Sequence, residues 1–191
     1  RDMLNTKLIS KIFGSLLLIE ALLMSCSLGV ALYYGGSDVM PFTWSVVVLI
    51  AAGVAFRLLG LKASNALSRR DAYFVVTTVW VLFTIFGMMP FLIGGYLHSV
   101  TDAFFETISG FTTTGATIID YPERLPRGLL FWRSITQWIG GLGIVFFTIA
   151  ILPSFVGGST RVFAAEATGP IVTKLHPKLS TGAKWIWAVY V

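Results

Sequence analysis

Four apolar runs along the chain are each long enough to cross ~30 Å of hydrocarbon, which takes about 20 helical residues. They cover roughly Ile12 to Tyr34, Phe42 to Leu61, Ala72 to Leu97 and Leu129 to Leu152. A fifth run opens at Lys184 and stops at Val191, so the chain reads as part of something longer. Lipid offers backbone groups no water to bond, so spanning runs of this kind are expected to be helices. Pro90 in the third run and Pro153 after the fourth should kink or end theirs, because proline lacks an N–H. The pattern predicts an all-α integral membrane protein.

The polar stretches between the runs orient them. Arg1, Lys7 and Lys11 precede the first run. Arg57, Lys62, Arg69 and Arg70 lie between the second and third, and Arg161, Lys174, Lys178 and Lys184 follow the fourth. These make eleven of the fourteen Lys and Arg residues. The turn Gly35-Gly36-Ser37-Asp38 has none, and the stretch 98–128 offsets Arg124 and Arg127 with Asp102, Glu106, Asp120 and Glu123. Positive loops stay inside, so the amino terminus is expected in the cytoplasm and the 98–128 stretch outside. Composition agrees: 12% of residues are charged, against about 25% in soluble domains, and mean hydropathy is +0.81. The net charge of +5 is explained by those inner loops, and nucleic acid is not an expected partner. Cys26 stands alone inside the first run, and His98 and His176 are far apart, so no disulfide or metal centre is expected.

The stretch between the third and fourth runs carries the chemistry. Thr101 or Asp102 can cap a helix. Phe104, Phe105 and Ile108 would give it an apolar face, and Gly110 is a natural residue to end it. Such a helix has about eight residues, or ~12 Å, too short to span. It suits a half-helix that dips in from outside. Thr112-Thr113-Thr114-Gly115-Ala116-Thr117 follows. Non-helical backbone at membrane depth belongs where it is buried in protein or lines a water-filled path. Backbone carbonyls can replace the hydration shell of a potassium ion, glycine allows the dihedral angles that aim them together, and the half-helix points its negative end at the ion. On residue chemistry alone, an inert extracellular loop with a threonine run explains the segment equally well.

Three stretches resemble a known family. Phe104-Phe105-Glu106-Thr107-Ile108-Ser109-Gly110-Phe111-Thr112-Thr113-Thr114-Gly115-Ala116-Thr117 is similar to the first pore loop of the Trk/Ktr/HKT potassium transporter superfamily, particularly its TrkH/TrkG-type branch. Trp132-Arg133-Ser134-Ile135-Thr136-Gln137-Trp138-Ile139-Gly140-Gly141-Leu142-Gly143 and Ala164-Ala165-Glu166-Ala167-Thr168-Gly169-Pro170 resemble it too. The resemblance implies two leading helices in 1–65, a first repeat of span, pore helix, filter loop and span in 66–157, and a cytoplasmic connection opening the next repeat in 158–191. It implies potassium uptake across a bacterial inner membrane, with three further repeats in the full-length chain completing the filter. Carbonyls of Thr113 and Thr114 would bind the ion, flanked by Gly115 and Ala116, with Thr112, Glu106 and Arg133 as supports. A homodimer and a separate, TrkA-like nucleotide-binding regulatory subunit in the cytoplasm are implied as partners. No cofactor is expected on this chain; potassium is the substrate.

Other residues leave alternatives open. Glu20 lies within the first run, where a charge is costly; it either pairs with a polar group of a neighbouring helix or sits near an aqueous crevice. Arg133 either snorkels to the interface or pairs with a pore-helix carboxylate such as Glu106. Gly140, Gly141 and Gly143 suit close helix packing. Trp132, Trp138, Trp185 and Trp187 read as interface anchors. No phosphate-binding loop, dinucleotide fingerprint or catalytic triad is present, so an enzyme is not expected. A homotetrameric two-span-type cation channel subunit and a non-conducting membrane assembly protein are the rival readings.

Overall fold

The computed structural model describes residues 5–61 and 69–143. The end of the fourth run, Pro153, the 164–170 stretch, Trp185, Trp187 and the fifth run lie outside the described residues. The chain divides into two compact units, Arg1–Trp138 and Ile139–Val191. Of the second, residues 139–143 are described and are helical, Gly140, Gly141 and Gly143 among them.

Among the described residues, the regular structure of the first unit is all helical. α1 (Thr6–Tyr34) starts six residues before the apolar run. Asn5 sets that start: its Oδ1 accepts the N–H of Leu8 at 3.2 Å, filling a donor that the first turn leaves unpaired. Lys7 and Lys11 are good helix formers, so a boundary drawn on hydropathy misses them. α1 ends at Gly35, whose φ of 60° lets its N–H and that of Gly36 reach back to the carbonyls of Leu32 and Ala31 at 3.2 and 3.0 Å.

α2 (Val39–Leu59) folds back along α1. The two backbones meet at small residues, as membrane helices commonly do. A side chain on Gly14 would lie 2.6 Å from the Gly53 carbonyl oxygen. Phe13 packs edge-on to Phe56, with ring centroids 6.4 Å apart. Ile9, Phe13 and Val75 form a buried cluster that ties α1 and α2 to α3 (Arg69–Gly87).

The third apolar run is not one helix. α3 stops at Gly87, and α4 (Met89–Ile93) begins with Pro90 in its first turn. Pro90 has no N–H to give back to the preceding turn. The break frees a carbonyl, and the structure uses it: the indole Nε1 of Trp132 donates to Gly87 O at 2.9 Å. Trp132 is fully buried, so it is an internal strut rather than an interface anchor. Among the described residues, three segments are long and apolar enough to cross a membrane: Thr6–Tyr34, Val39–Leu59 and Tyr73–Ile93.

α5 (Val100–Phe111) follows, then a single 3-10 turn at Pro122–Arg124, then α6, helical over 127–138 of this unit. Asp38, from the α1–α2 turn, is fully buried. Its Oδ2 accepts the N–H of Leu129 at 3.0 Å, so it caps α6 from 91 residues away. Capping side chains contribute about 0.5–2 kcal/mol. Asp38→Ala in the full-length protein should therefore lower its melting temperature in detergent, and Asp38→Asn should lower it less. An unchanged melting temperature for Asp38→Ala would remove the capping role.

Candidate ion-coordinating loop

α5 has twelve residues, four more than its sequence suggested. It begins after Ser99 rather than at Thr101 or Asp102, and Gly110 does not end it. Gly110 is buried inside the helix, where a Cβ would lie 2.5 Å from Thr136 Oγ1 of α6. Its missing side chain lets the two helices approach. The buried face is Ala103, Glu106, Thr107, Gly110 and Phe111, whereas Phe105 is 42% exposed. Of the expected apolar face, Phe105 is exposed and Phe104 and Ile108 are half-buried. The buried side encloses Glu106 with its partners, as a buried carboxylate requires. Phe111 is held between Phe83 and Trp132, at centroid distances of 5.6 and 6.4 Å.

The helix ends at a threonine. Thr113 N–H donates to Gly110 O and Thr114 N–H to Ser109 O, both at 3.0 Å. This is the same pair of bonds that ends α1, but Thr113 stands where α1 has Gly35, at φ 57°. A β-branched residue at positive φ is an outlier, and such strain, of order 1–3 kcal/mol, gathers at functional sites. Gly115 adds a second positive φ, 73°, two residues on. Left-handed residues at alternate positions turn successive carbonyls toward one side, where an extended strand would alternate them.

Hydrogen bonds fix which carbonyls remain available. Ser109 Oγ donates to Ala116 O at 2.6 Å, pulling the far end of the loop back onto α5. Thr113 Oγ1 donates to Thr112 O at 2.7 Å. Thr112 Oγ1 reaches Ile108 O and pairs with Thr114 Oγ1, each at 2.8 Å. Among the described residues, the carbonyls of Thr113, Thr114 and Gly115 accept no hydrogen bond. The loop from Thr112 to Ile118 is exposed.

Glu106 anchors the loop from behind. Its carboxylate receives Arg133 Nη2 at 2.6 Å and Nε at 2.8 Å. It also receives Thr117 Oγ1 at 2.9 and 3.0 Å and the Ile118 N–H at 3.1 Å. Of the two uses open to Arg133, the structure has the pairing. Sequence reasoning missed the roles of Ser109 and Thr117, whose partners lie across the turn of the loop, and of Asp38 and Trp132, whose partners lie 91 and 45 residues away. Glu20 also departs from expectation. It is fully buried, yet neither oxygen has a hydrogen-bond partner among the described residues.

The sequence model of the TrkH family, described as a cation transport protein, matches residues 39–191. The chain belongs to the TrkH family. Relatives include the Trk system potassium uptake protein TrkH of Vibrio parahaemolyticus, 37% identical over 96% of this chain. TrkH and TrkG of Escherichia coli K12 are 33% and 31% identical over 98% and 97% of it. The crystal structure of the potassium transporter TrkH from Vibrio parahaemolyticus superposes with a TM-score of 0.78 and 33% identity, covering 96% of this chain and 36% of that one. The chain spans 38 to 39% of the length of these curated relatives. TrkH proteins are transporters rather than enzymes, and this chain is a multi-pass, all-α membrane protein.

Proposed function

We propose that the chain supplies the first of four selectivity-filter loops in a TrkH-type transporter that takes potassium up across the bacterial inner membrane. Thr113 and Thr114 offer the coordinating carbonyls, Gly115 and Ala116 flank them, and Thr112, Glu106 and Arg133 support the loop. The observation that carries this reading is the run of unpaired carbonyls, Thr113 to Gly115, at the end of a short helix in backbone with alternate positive φ. Such carbonyls can stand in for water around a potassium ion. One loop offers too few oxygens, since a large cation takes about six to eight, so three further repeats of the full-length chain complete the ring. The division into leading helices (1–65), first repeat (66–157) and connection (158–191) follows from the same reading.

The charge distribution supports a cytoplasmic amino terminus and a loop facing outside. A homodimer and a TrkA-like nucleotide-binding subunit are proposed partners on the strength of family membership, and the basic inner loops are the surface such a subunit would meet. The deciding experiment is rubidium uptake into liposomes containing the full-length transporter. Uptake should be blocked by potassium far better than by sodium. Equal competition by the two ions, or no uptake, would defeat the reading.

A further inference from the structure

Hydroxyls on the helices of this chain share a habit. Those of Ser15, Ser25, Ser45, Thr84 and Ser134 each donate to the carbonyl four residues back, at 3.0, 2.7, 2.7, 2.7 and 3.1 Å. That carbonyl is the nearest acceptor a helical hydroxyl finds. Ser109 breaks the habit. Its Oγ donates forward instead, to Ala116 O seven residues on, at 2.6 Å.

The backbone of Ser109 acts on the same segment. Its carbonyl accepts the N–H of Thr114 at 3.0 Å and that of Gly115 at 3.4 Å. One residue, 4% exposed, thus grips three successive residues of the loop. Any residue at position 109 could supply the backbone part of this grip, because it is how the helix ends. The part that reaches Ala116 needs a hydroxyl. Among the described residues, Ser109 is the one side-chain donor to a carbonyl between Thr113 and Ala116.

Glu106 lies three residues before Ser109, on the same side of α5, and holds Thr117 and Ile118. The loop therefore returns along α5, and the return begins at Ala116. The three carbonyls before it accept no hydrogen bond among the described residues. Ala116 is itself exposed, so its oxygen would meet water or a cation if Ser109 did not take it.

We propose that Ser109 sets the far limit of the ion-coordinating run: by drawing Ala116 O toward α5, its hydroxyl ends the run at Gly115 and fixes the peptide beyond it. Ser109 is then a positioning residue that acts through Ala116 and helps determine which ion is accepted. This role rests on the filter assignment proposed above. The physical link is the freedom of glycine. With Ala116 released, Gly115 is tethered only on the side of Thr114. Its carbonyl can then follow a smaller ion inward, and a ring whose oxygens close in that way accepts sodium more readily.

Rubidium uptake into liposomes containing the full-length transporter, with potassium or sodium as competitor, tests the role. Ser109→Ala removes one oxygen and adds no bulk, so its melting temperature in detergent should fall only slightly. Sodium should compete about two- to tenfold better, relative to potassium, than in wild type, the range that one neutral hydrogen bond commands. Ser109→Cys carries only a weak donor and should behave as alanine does. Ser109→Thr keeps the hydroxyl and should keep wild-type discrimination. Ser45→Ala removes a buried, back-bonded hydroxyl from α2 and should leave the ratio unchanged. Wild-type discrimination in both the alanine and the cysteine variants would overturn the role. So would potassium and sodium competing as in wild type while total uptake and melting temperature fall, because the bond would then only hold loop and helix together. Where the methyl of threonine prevents folding, the alanine and cysteine variants with the Ser45→Ala control still decide. Gly115→Val separates this role from the filter assignment. Discrimination lost in that variant but kept in Ser109→Ala leaves the filter standing and removes the part of Ser109. Discrimination that neither substitution changes defeats both.

Discussion

Valine in place of Gly115 is expected to cost the full-length transporter most of its preference for potassium over sodium. The expected loss is at least about tenfold, the equivalent of ~1.4 kcal/mol. Space is not the cause, because a Cβ on Gly115 would meet nothing within 4 Å in this chain. The cause is φ, which at 73° is strained for any side chain and most for a β-branched one. A penalty of order 1–3 kcal/mol is enough for the loop to relax toward negative φ. That rotation turns the Thr114 carbonyl away from its neighbours and would remove an oxygen from the proposed ring. Alanine should fall between glycine and valine, because it carries the φ penalty without the branch. Rubidium and sodium fluxes in liposomes measure the outcome. A valine variant with wild-type discrimination would sink the filter assignment.

Thr113 presents the contrast. It already sits at positive φ, in the bond pattern that glycine serves at the end of α1. Glycine there would relieve strain but free the backbone and delete the hydroxyl that bonds Thr112 O. The loop therefore uses one glycine where a side chain is dispensable and a strained threonine where it is not.

The membrane class and the leading helices were legible because apolar runs of this length have few alternatives. The loop was legible as a place, through its threonines and glycine between two spans. Its mechanics were not. Gly110 looked like a helix end, since a glycine near the close of a short amphipathic stretch commonly is one; only the approach of Thr136 shows why it is inside. Trp132 near a span end reads as an anchor until the break before Pro90 supplies a carbonyl for its indole. Each miss depends on a partner distant in sequence.

The second large effect is an asymmetry in the brace behind the loop. Glu106 is 2% exposed and Arg133 20%. Arg133→Gln leaves a buried carboxylate with only Thr117 and the Ile118 N–H for company. Removing one partner of a buried pair typically costs about 3–5 kcal/mol, so this variant should be poorly expressed or poorly selective. Glu106→Gln should be milder. Its amide oxygen can still accept the Ile118 N–H, and the longer, partly exposed arginine can move its head toward water. The double variant removes the stranded charge, so it should recover part of what Arg133→Gln loses. Melting temperature and potassium-over-sodium flux ratio, measured on all four full-length proteins, give the cycle. Purely additive losses would mean that the pair is incidental. A double variant that recovers stability but not selectivity would separate two roles for Glu106. Its bond to Arg133 would then hold the helices together, while its bonds to Thr117 and Ile118 set the carbonyls of the loop.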